Sequence, residues 1–168
     1  MKPIVLYSTR SGNTEKIARE IASELNCRCE KIGGNPDSAT IDLGDSDLVF
    51  LGTGIYGKKP NPEMLNYLGH MNLDSSRVFA LFVTWIGRGT SDKDVYDKVR
   101  EAVEEKGQRL VQDYHSCLFE GHSPIARAIG RAIFPSAKGH PTAEDLSDAI
   151  KWAREIVRSV NSEYNHAE

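Results

Sequence analysis

The 168-residue sequence predicts a doubly wound α/β domain, with a parallel sheet of five strands and helices on both of its faces. Short apolar segments alternate along the chain with longer segments in which apolar residues recur at helical spacing. Hydrophobic residues make up 39% of the chain and charged residues 27%, which is the composition of a globular domain with its own core.

Five apolar segments are the predicted strands. They span Ile4–Tyr7, Cys27–Ile32, Asp47–Gly52, Val78–Val83 and Leu110–Phe119. The fourth segment is apolar throughout, so we expect it to be buried on both faces of the sheet. Cys27 and Cys29 lie two residues apart on the second strand, so both thiols should face the same side and pack as core residues.

Four segments with helical periodicity are the predicted helices. They span Asn13–Leu25, a segment after Pro62, a segment that begins at Ser91 or Asp92 and ends before Gly107, and Thr142–Val160. We expect Asn13 or Thr14 to cap the first helix, and Thr142 with Asp145 to form a capping box at the last one. Residues 161–168 have the composition of a frayed tail, so we predict a single domain over residues 1–160.

Charge and cysteine content argue against several classes of protein. The formal net charge of -3 is unlike that of a nucleic-acid binder that neutralises phosphates or of a polybasic membrane anchor. We expect neither a signal peptide nor a membrane span, because no apolar segment is long enough. The cysteines form no CxxC pair, and His115, His122 and His140 lack the spacing of metal ligands. These features predict a cytoplasmic monomer with reduced thiols and no bound metal.

The turn after the first strand is rich in hydroxyl groups and leads directly into the first helix. It reads Ser8-Thr9-Arg10-Ser11-Gly12-Asn13-Thr14. The first N–H groups of a helix have no partner within it and lie at the positive end of its dipole, so this turn favours a single phosphate. The turn lacks both the lysine-containing loop of nucleotide hydrolases and the GxGxxG pattern of dinucleotide sites. On these residues alone, an ordinary polar turn with a helix cap is the alternative.

Two further strand ends combine glycines with an aromatic residue. Gly52–Gly57 contains Tyr56, and Thr84–Thr90 contains Trp85. Glycine lets the backbone approach a ligand closely, and an aromatic side chain can stack on a flat ring, although either aromatic alone would equally fit ordinary packing. Because ligands of open parallel sheets bind at the carboxyl ends of the strands, the three segments predict one site.

The segment Val5–Thr14, followed by Ala18 and Ile21, resembles the phosphate loop of flavodoxins, small proteins that carry flavin mononucleotide (FMN). Gly52–Gly57 and Thr84–Thr90 lie where flavodoxins have the two loops around the isoalloxazine ring, and Gly139-His140-Pro141 is also similar to the family. The resemblance implies a flavodoxin-like fold with strand order 2-1-3-4-5 and noncovalently bound FMN at the switch between strands one and three.

The resemblance also implies roles for individual residues. The phosphate would be held by Ser8, Thr9, Arg10, Ser11, Gly12, Asn13 and Thr14, and the ring by Thr53, Gly54, Ile55, Tyr56, Gly57, Thr84, Trp85, Ile86, Gly87, Arg88 and Gly89. In the family, the glycine at the position of Gly57 lets a peptide turn over, so that a backbone carbonyl accepts a hydrogen bond from flavin N5 after the first electron and proton arrive. No catalytic side chain is predicted, because the chemistry belongs to the flavin.

The sequence departs from the flavodoxins that serve purely as carriers, which are strongly acidic near the flavin. Here Lys58, Lys59 and Arg88 lie in the ring loops, and these cations should stabilise an anionic reduced flavin. The segment Gly121–His140 contains three basic residues, Arg127 and Arg131 among them, and no acid. It is predicted to be either a solvated cover over the sheet edge or a docking surface for an acidic partner or substrate.

We therefore predict an FMN-binding electron carrier that works between a flavin reductase or ferredoxin-type donor and an unidentified redox acceptor. The alternative is an FMN-dependent reductase or dehydrogenase that acts on a quinone, a tetrapyrrole or another flat substrate. The basic loops favour the enzyme, whereas the turn Gly54-Ile55-Tyr56-Gly57 favours the carrier. A module that has lost its flavin is disfavoured by the intact loop from Ser8 to Thr14.

Overall fold

The computed structural model describes residues 1–33, 41–73, 75–87, 89–120 and 134–165. Its strands are β1 (Pro3–Ser8), β2 (Arg28–Lys31), β3 (Leu48–Tyr56), β4 (Lys59–Pro60), β5 (Val78–Trp85), β6 (Arg109–Leu110) and β7 (His115–Leu118). Its helices are α1 (Asn13–Glu24), α2 (Pro62–His70), α3 (Ser91–Glu104) and α4 (Ala143–Asn165), with a short 3-10 turn at Pro135–Ala137.

The strands form one sheet in the order β2-β1-β3-β5, and both β6 and β7 pair with the outer edge of β5. All of these pairings are parallel, whereas β4 pairs antiparallel with β3. Since β5 is the predicted fourth strand and β6 with β7 makes up the predicted fifth, the order 2-1-3-4-5 describes the sheet once β4 is set aside. The doubly wound α/β fold is confirmed.

Two strands differ from the predictions. The third strand continues beyond Gly52 to Tyr56, because Ile55 and Tyr56 pair with β4 and turn the glycine-rich segment into a hairpin. The fifth strand is interrupted between Leu110 and His115. In this interval the Tyr114 ring stacks on Tyr96 of α3 at 5.0 Å between centroids.

The last helix is longer than predicted. It extends to Asn165, so the prediction of a frayed tail is wrong for residues 161–165, while residues 166–168 lie outside the described part of the chain. Val160 is buried, and Glu163 forms an ion pair with Arg109 of β6 at 2.7 Å, which ties the final turns to the sheet. The capping box at the other end is confirmed, since the Asp145 N–H donates to Thr142 Oγ1 at 3.2 Å.

The core lies in two layers, one on each face of the sheet. Helices α2 and α3 cover one face, where Leu6, Leu51 and Leu81 are fully buried, and α1 and α4 cover the other. Cys27 and Cys29 both pack against the α1/α4 layer, as predicted for core thiols. Burial raises the pKa of Cys27 to about 11 and also raises that of Cys29, so both thiols are protonated at neutral pH.

Candidate functional site

The three predicted loops leave neighbouring strands at the same edge of the sheet. Ser8 of β1 pairs with Thr53 of β3, and Gly54 of β3 pairs with Thr84 of β5. The chain then turns in different directions, because α1 packs on one face of the sheet while α2 and α3 pack on the other. The crevice of the doubly wound sheet therefore opens between the ends of β1 and β3.

A glycine begins α1. Gly12 occupies the N-cap position with φ of 82°, a left-handed conformation that favours glycine, and no side chain caps the helix. The prediction of Asn13 or Thr14 as the cap is wrong, because Asn13 Nδ2 donates to Ser11 Oγ at 3.2 Å and the Thr14 hydroxyl points elsewhere. The first-turn N–H groups consequently have no acceptor from the helix or from a cap at this end.

The Thr14 hydroxyl joins the start of α1 to the end of β5. It lies 2.8 Å from Thr84 Oγ1, and both side chains are buried. This hydrogen bond connects residues 70 positions apart and fixes the start of α1 against the end of β5. Ser8 Oγ, in contrast, is fully buried at the end of β1 and has no hydrogen-bond partner in the part of the chain that the structure describes. A buried hydroxyl without a partner is unfavourable, so Ser8 Oγ is a group that a bound ligand or water would satisfy.

Arg10 and Tyr56 connect the loop of residues 8–14 with the hairpin formed by β3 and β4. The Arg10 N–H donates to the Tyr56 hydroxyl at 3.0 Å, and the Arg10 guanidinium lies 4.5 Å from the centre of the Tyr56 ring. The same ring packs over Gly54, where a Cβ atom would come within 2.7 Å of the Tyr56 hydroxyl oxygen. Only glycine at position 54 leaves room for this placement of the ring.

The predicted first ring loop is a β-hairpin with a two-residue turn. Tyr56 pairs with Lys59, and the two residues between them have positive φ, 59° at Gly57 and 64° at Lys58, as in a type I′ turn. Thr53 holds the base of this hairpin, since its buried hydroxyl accepts the Asn61 N–H at 2.9 Å and donates to the Gly54 carbonyl at 3.0 Å. The Thr53 hydroxyl is therefore already engaged in hydrogen bonds with the protein backbone.

Side-chain alternation along β3 divides the predicted ring residues into two groups. Ile55 packs against the α2/α3 core, on the same face as Thr53, whereas Gly54 and Tyr56 alternate to the opposite face. The structure therefore brings Tyr56 to Arg10, but directs the side chains of Thr53 and Ile55 away from that contact.

The loop that follows β5 packs against β7 and the 3-10 turn at Pro135–Ala137. Trp85 and Ile86 are partly exposed, and Gly87 has φ of 80°. A Cβ atom at Gly87 would lie 3.0 Å from Leu118 and 3.7 Å from Ser136, so the backbone there is held closely between β7 and the 3-10 turn. Gly89 also has positive φ. Arg88, Arg127 and Arg131 lie outside the described residues.

Two residues at the hairpin escaped the sequence-based prediction. Asn61 caps α2, with its side chain accepting the Glu63 N–H at 3.1 Å, and the Asn-Pro pair at this helix start is a local signal for that role. Lys98 of α3 donates from Nζ to the Lys58 carbonyl at 2.9 Å. No local pattern predicts the contact of Lys98, because its partner lies 40 residues away on another element.

The described ranges hold neither a cluster of metal ligands nor a helix suited to a bilayer. These ranges contain no group of three or more histidine, cysteine or acidic residues that could hold a metal ion. His140 Nδ1 instead contacts Asp145 Oδ2 at 2.6 Å, and the His115 ring packs on Trp152. Among the helices of the same ranges, none has the length and apolar character needed to cross a bilayer.

Comparison with known proteins gives matches over most of the chain. Residues 4–122 match the family model described as a flavodoxin domain. An uncharacterized protein of Methanocaldococcus jannaschii is 27% identical over 161 residues, which cover 95% of this chain and 100% of that protein.

Solved structures of two flavoproteins are similar in fold. The crystal structure of oxidised flavodoxin 1 from Bacillus cereus has a TM-score of 0.68 at 20% identity, and the alignment covers 94% of this chain and 98% of that one. A flavoprotein from Lactobacillus acidophilus, solved in complex with FMN, has a TM-score of 0.52 at 20% identity, with 68% of this chain and 91% of that one covered.

Proposed function

Because the chain belongs to the flavodoxin-domain family, we propose that it binds FMN noncovalently and carries electrons between a donor and an acceptor. The observation that carries this proposal is the glycine-capped start of α1, which meets the ends of β3 and β5 at the switch point of the sheet. This arrangement combines a place for one phosphate with a place for one flat ring, which is the composition of a mononucleotide flavin.

The phosphate loop fits a phosphate ester. Its first-turn N–H groups have no helix-internal acceptor, and Arg10 adds a positive charge to the same loop. Among the described residues, no heavy atom lies within 4 Å of the position that a Cβ would occupy at Gly12, so these residues leave the space beside the helix start open. The residues that would hold the phosphate are Ser8, Thr9, Arg10, Ser11, Gly12, Asn13 and Thr14.

The two following loops fit the edges of a flat ring. Tyr56 and Trp85 are partly exposed aromatic residues on neighbouring strands, and the Cβ positions of Gly57 and Gly89 are open among the described residues, so the backbone there can come close to a ligand. Thr53, Gly54, Ile55, Thr84 and Gly87 would contribute backbone atoms, because the protein itself occupies or uses their side-chain positions, and Ile86 and Arg88 complete this part of the proposal. When FMN is bound, its ring supplies the one-electron and two-electron chemistry, and the chain supplies orientation and charge.

Gly57 gives the hairpin its conformational freedom. Its φ is positive, a conformation that glycine adopts without strain, and the position of a Cβ there has no neighbour within 4 Å among the described residues. We propose that this freedom lets a backbone carbonyl of the turn approach the ring in one redox state and withdraw in another, as the resemblance to flavodoxins implies.

The charge around the hairpin supports an acidic redox partner. Lys58 and Lys59 are exposed at its tip, and Arg10 is exposed beside it. We propose that this surface, together with Arg88, Arg127 and Arg131, docks a flavin reductase or ferredoxin-type donor and then an acceptor, with the protein acting as a monomer. Such docking should weaken as the salt concentration rises, because exposed charges attract each other mainly within one Debye length.

Titration of the flavin-free protein with FMN and with riboflavin tests the proposal. We expect one FMN per chain, bound roughly a hundredfold more tightly than riboflavin, because riboflavin cannot make the charge-assisted hydrogen bonds to the loop. Equal affinity for both ligands would contradict phosphate recognition by residues 8–14. If the protein changes the fluorescence of neither FMN nor riboflavin, flavin binding itself is contradicted.

Reductive titration of the FMN-loaded protein then separates the carrier from the enzyme. Two well-separated one-electron steps support the carrier, whereas a single two-electron step favours an FMN-dependent oxidoreductase of a quinone, tetrapyrrole or other flat substrate. The observation that favours this second function is the pair Lys58 and Lys59, because cations near the ring ease the second reduction.

A further inference from the structure

Helix α3 holds the tip of the hairpin through two contacts with one residue. Lys98 Nζ donates to the carbonyl of Lys58 at 2.9 Å, and Asp94 Oδ2 lies 4.0 Å from the Lys58 ammonium. Asp94 and Lys98 are four residues apart and therefore lie on the same face of α3. The backbone and the side chain of Lys58 are thus both directed to this face of the helix.

Lys58 needs such support because of its backbone conformation. Its φ of 64° is left-handed, and a residue with a Cβ atom is strained there, whereas glycine is not. The base of the hairpin is fixed separately, by the hydrogen bond between the Asn61 N–H and Thr53 Oγ1. The tip has charge-assisted contacts from α3 in addition to the pairing of Tyr56 with Lys59, which is the strand pair next to the turn.

We propose that Lys98 is a positioning residue for the flavin site, an inference that rests on the proposed FMN function. Its hydrogen bond anchors the peptide between Lys58 and Lys59, so reorientation of the turn is confined to the peptides on either side of Gly57. Lys98 therefore keeps the Lys58 carbonyl in place before the ring binds, and it limits movement to the carbonyls of Tyr56 and Gly57. Loss of this anchor increases the motion of the whole tip, weakens FMN binding and shifts the separation between the two one-electron steps.

Variants of α3 separate this role from a simple effect of charge. Lys98→Met removes the donor and the charge together, and Lys98→Arg retains a cationic donor. The matched control is Lys93→Met, because Lys93 is exposed on the same helix and its replacement changes the net charge equally. Lys98 is only partly buried, so all three variants should fold.

Three measurements test the proposal. The first is hydrogen exchange of the backbone amides of residues 56–60 in the flavin-free protein, which requires no flavin. We expect Lys98→Met to accelerate this exchange roughly three- to tenfold, with Lys93→Met equal to the parent protein and Lys98→Arg close to it. The second is the FMN dissociation constant, which should rise roughly three- to tenfold in Lys98→Met alone. The reductive titration should show a changed separation of the steps in the same variant.

The possible failures are distinguishable. Unchanged hydrogen exchange in Lys98→Met would show that Lys98 does not anchor the tip. Equal effects of Lys98→Met and Lys93→Met would show that the effect of Lys98 is one of charge at long range, which would also overturn the anchoring. Faster exchange in Lys98→Met, combined with FMN binding equal to that of the parent, would overturn the positioning role. If the parent protein itself binds no FMN, the proposed function and the positioning role both fail, while the exchange data still report on the anchor.

Discussion

Substitution of Gly12 by alanine tests whether the start of α1 depends on a left-handed backbone. Gly12 has φ of 82°, and a Cβ atom added there would have no neighbour within 4 Å among the described residues. These residues cause no steric clash, and the expected cost is the backbone strain alone. Alanine in this region of φ and ψ is less favourable than glycine by about 1–2 kcal/mol. Gly12→Ala should lower the free energy of unfolding by that amount.

Gly69 supplies a matched control. It lies in α2, it likewise has no heavy atom within 4 Å of the Cβ position, and its φ is not positive. Gly69→Ala should raise the free energy of unfolding by about 0.5–1 kcal/mol, because alanine loses less conformational entropy than glycine in a helix. The two substitutions add the same atom into open space and should nevertheless have opposite signs.

Urea unfolding of the flavin-free protein, followed by circular dichroism, measures both effects. With a slope of about 2 kcal/mol per molar urea, Gly12→Ala should move the midpoint down by about 0.5–1 M and Gly69→Ala should move it up by about 0.25–0.5 M. A Gly12→Ala midpoint equal to or above that of the parent would contradict this prediction, because residue 12 would then not need its left-handed conformation.

Three further predictions concern the strand ends and the core. Thr84→Val should leave the buried Thr14 hydroxyl without its partner and destabilise the protein by about 1–2 kcal/mol in urea unfolding, whereas Thr84→Ser should retain most of the stability. Lys58→Glu combined with Lys59→Glu should shift the second reduction step of the FMN-loaded protein by roughly 20–40 mV to more negative potential in spectroelectrochemistry, and an unchanged potential would show that these cations do not influence the ring. Burial lowers the pKa of His115, so the folded protein binds this proton less readily than the unfolded chain, and stability should fall as the pH drops below about 6.5. His115→Phe, which preserves an aromatic contact with Trp152, should flatten the decrease in unfolding midpoint between about pH 7 and pH 5, and an unaltered pH dependence would assign the decrease to other groups.

Local patterns in the sequence were sufficient for most elements of the fold. The uniformly apolar run from Val78 to Val83 predicted a strand buried on both faces, and these residues are buried. Thr142 and Asp145 predicted a capping box because both partners lie within one helical turn. Such signals are readable because burial period and helix capping depend on residues that are close in sequence.

The helix cap at α1 shows where local reasoning was incomplete. Asn13 and Thr14 are good capping residues by type, but Gly12 takes the position because the Thr14 hydroxyl is bonded to Thr84 on another strand. The third strand was predicted too short for a similar reason. Gly57 and Lys58 carry no Asn-Gly or Asp-Gly turn signal, and the hairpin is supported by Lys98 of α3.

The order of residues along the chain was enough to predict the α/β class, the alternation of strands and helices, and the three strand ends that carry glycines, hydroxyls and aromatic residues. Which of these side chains a ligand can reach depends instead on how distant elements pack. Tyr56 meets Arg10 across 46 residues, Thr53 uses its hydroxyl at the base of the hairpin, and Ser8 Oγ has no hydrogen-bond partner among the described residues. A hydrogen-bonding group has a limited number of partners, and the packing of distant elements determines which partner it receives.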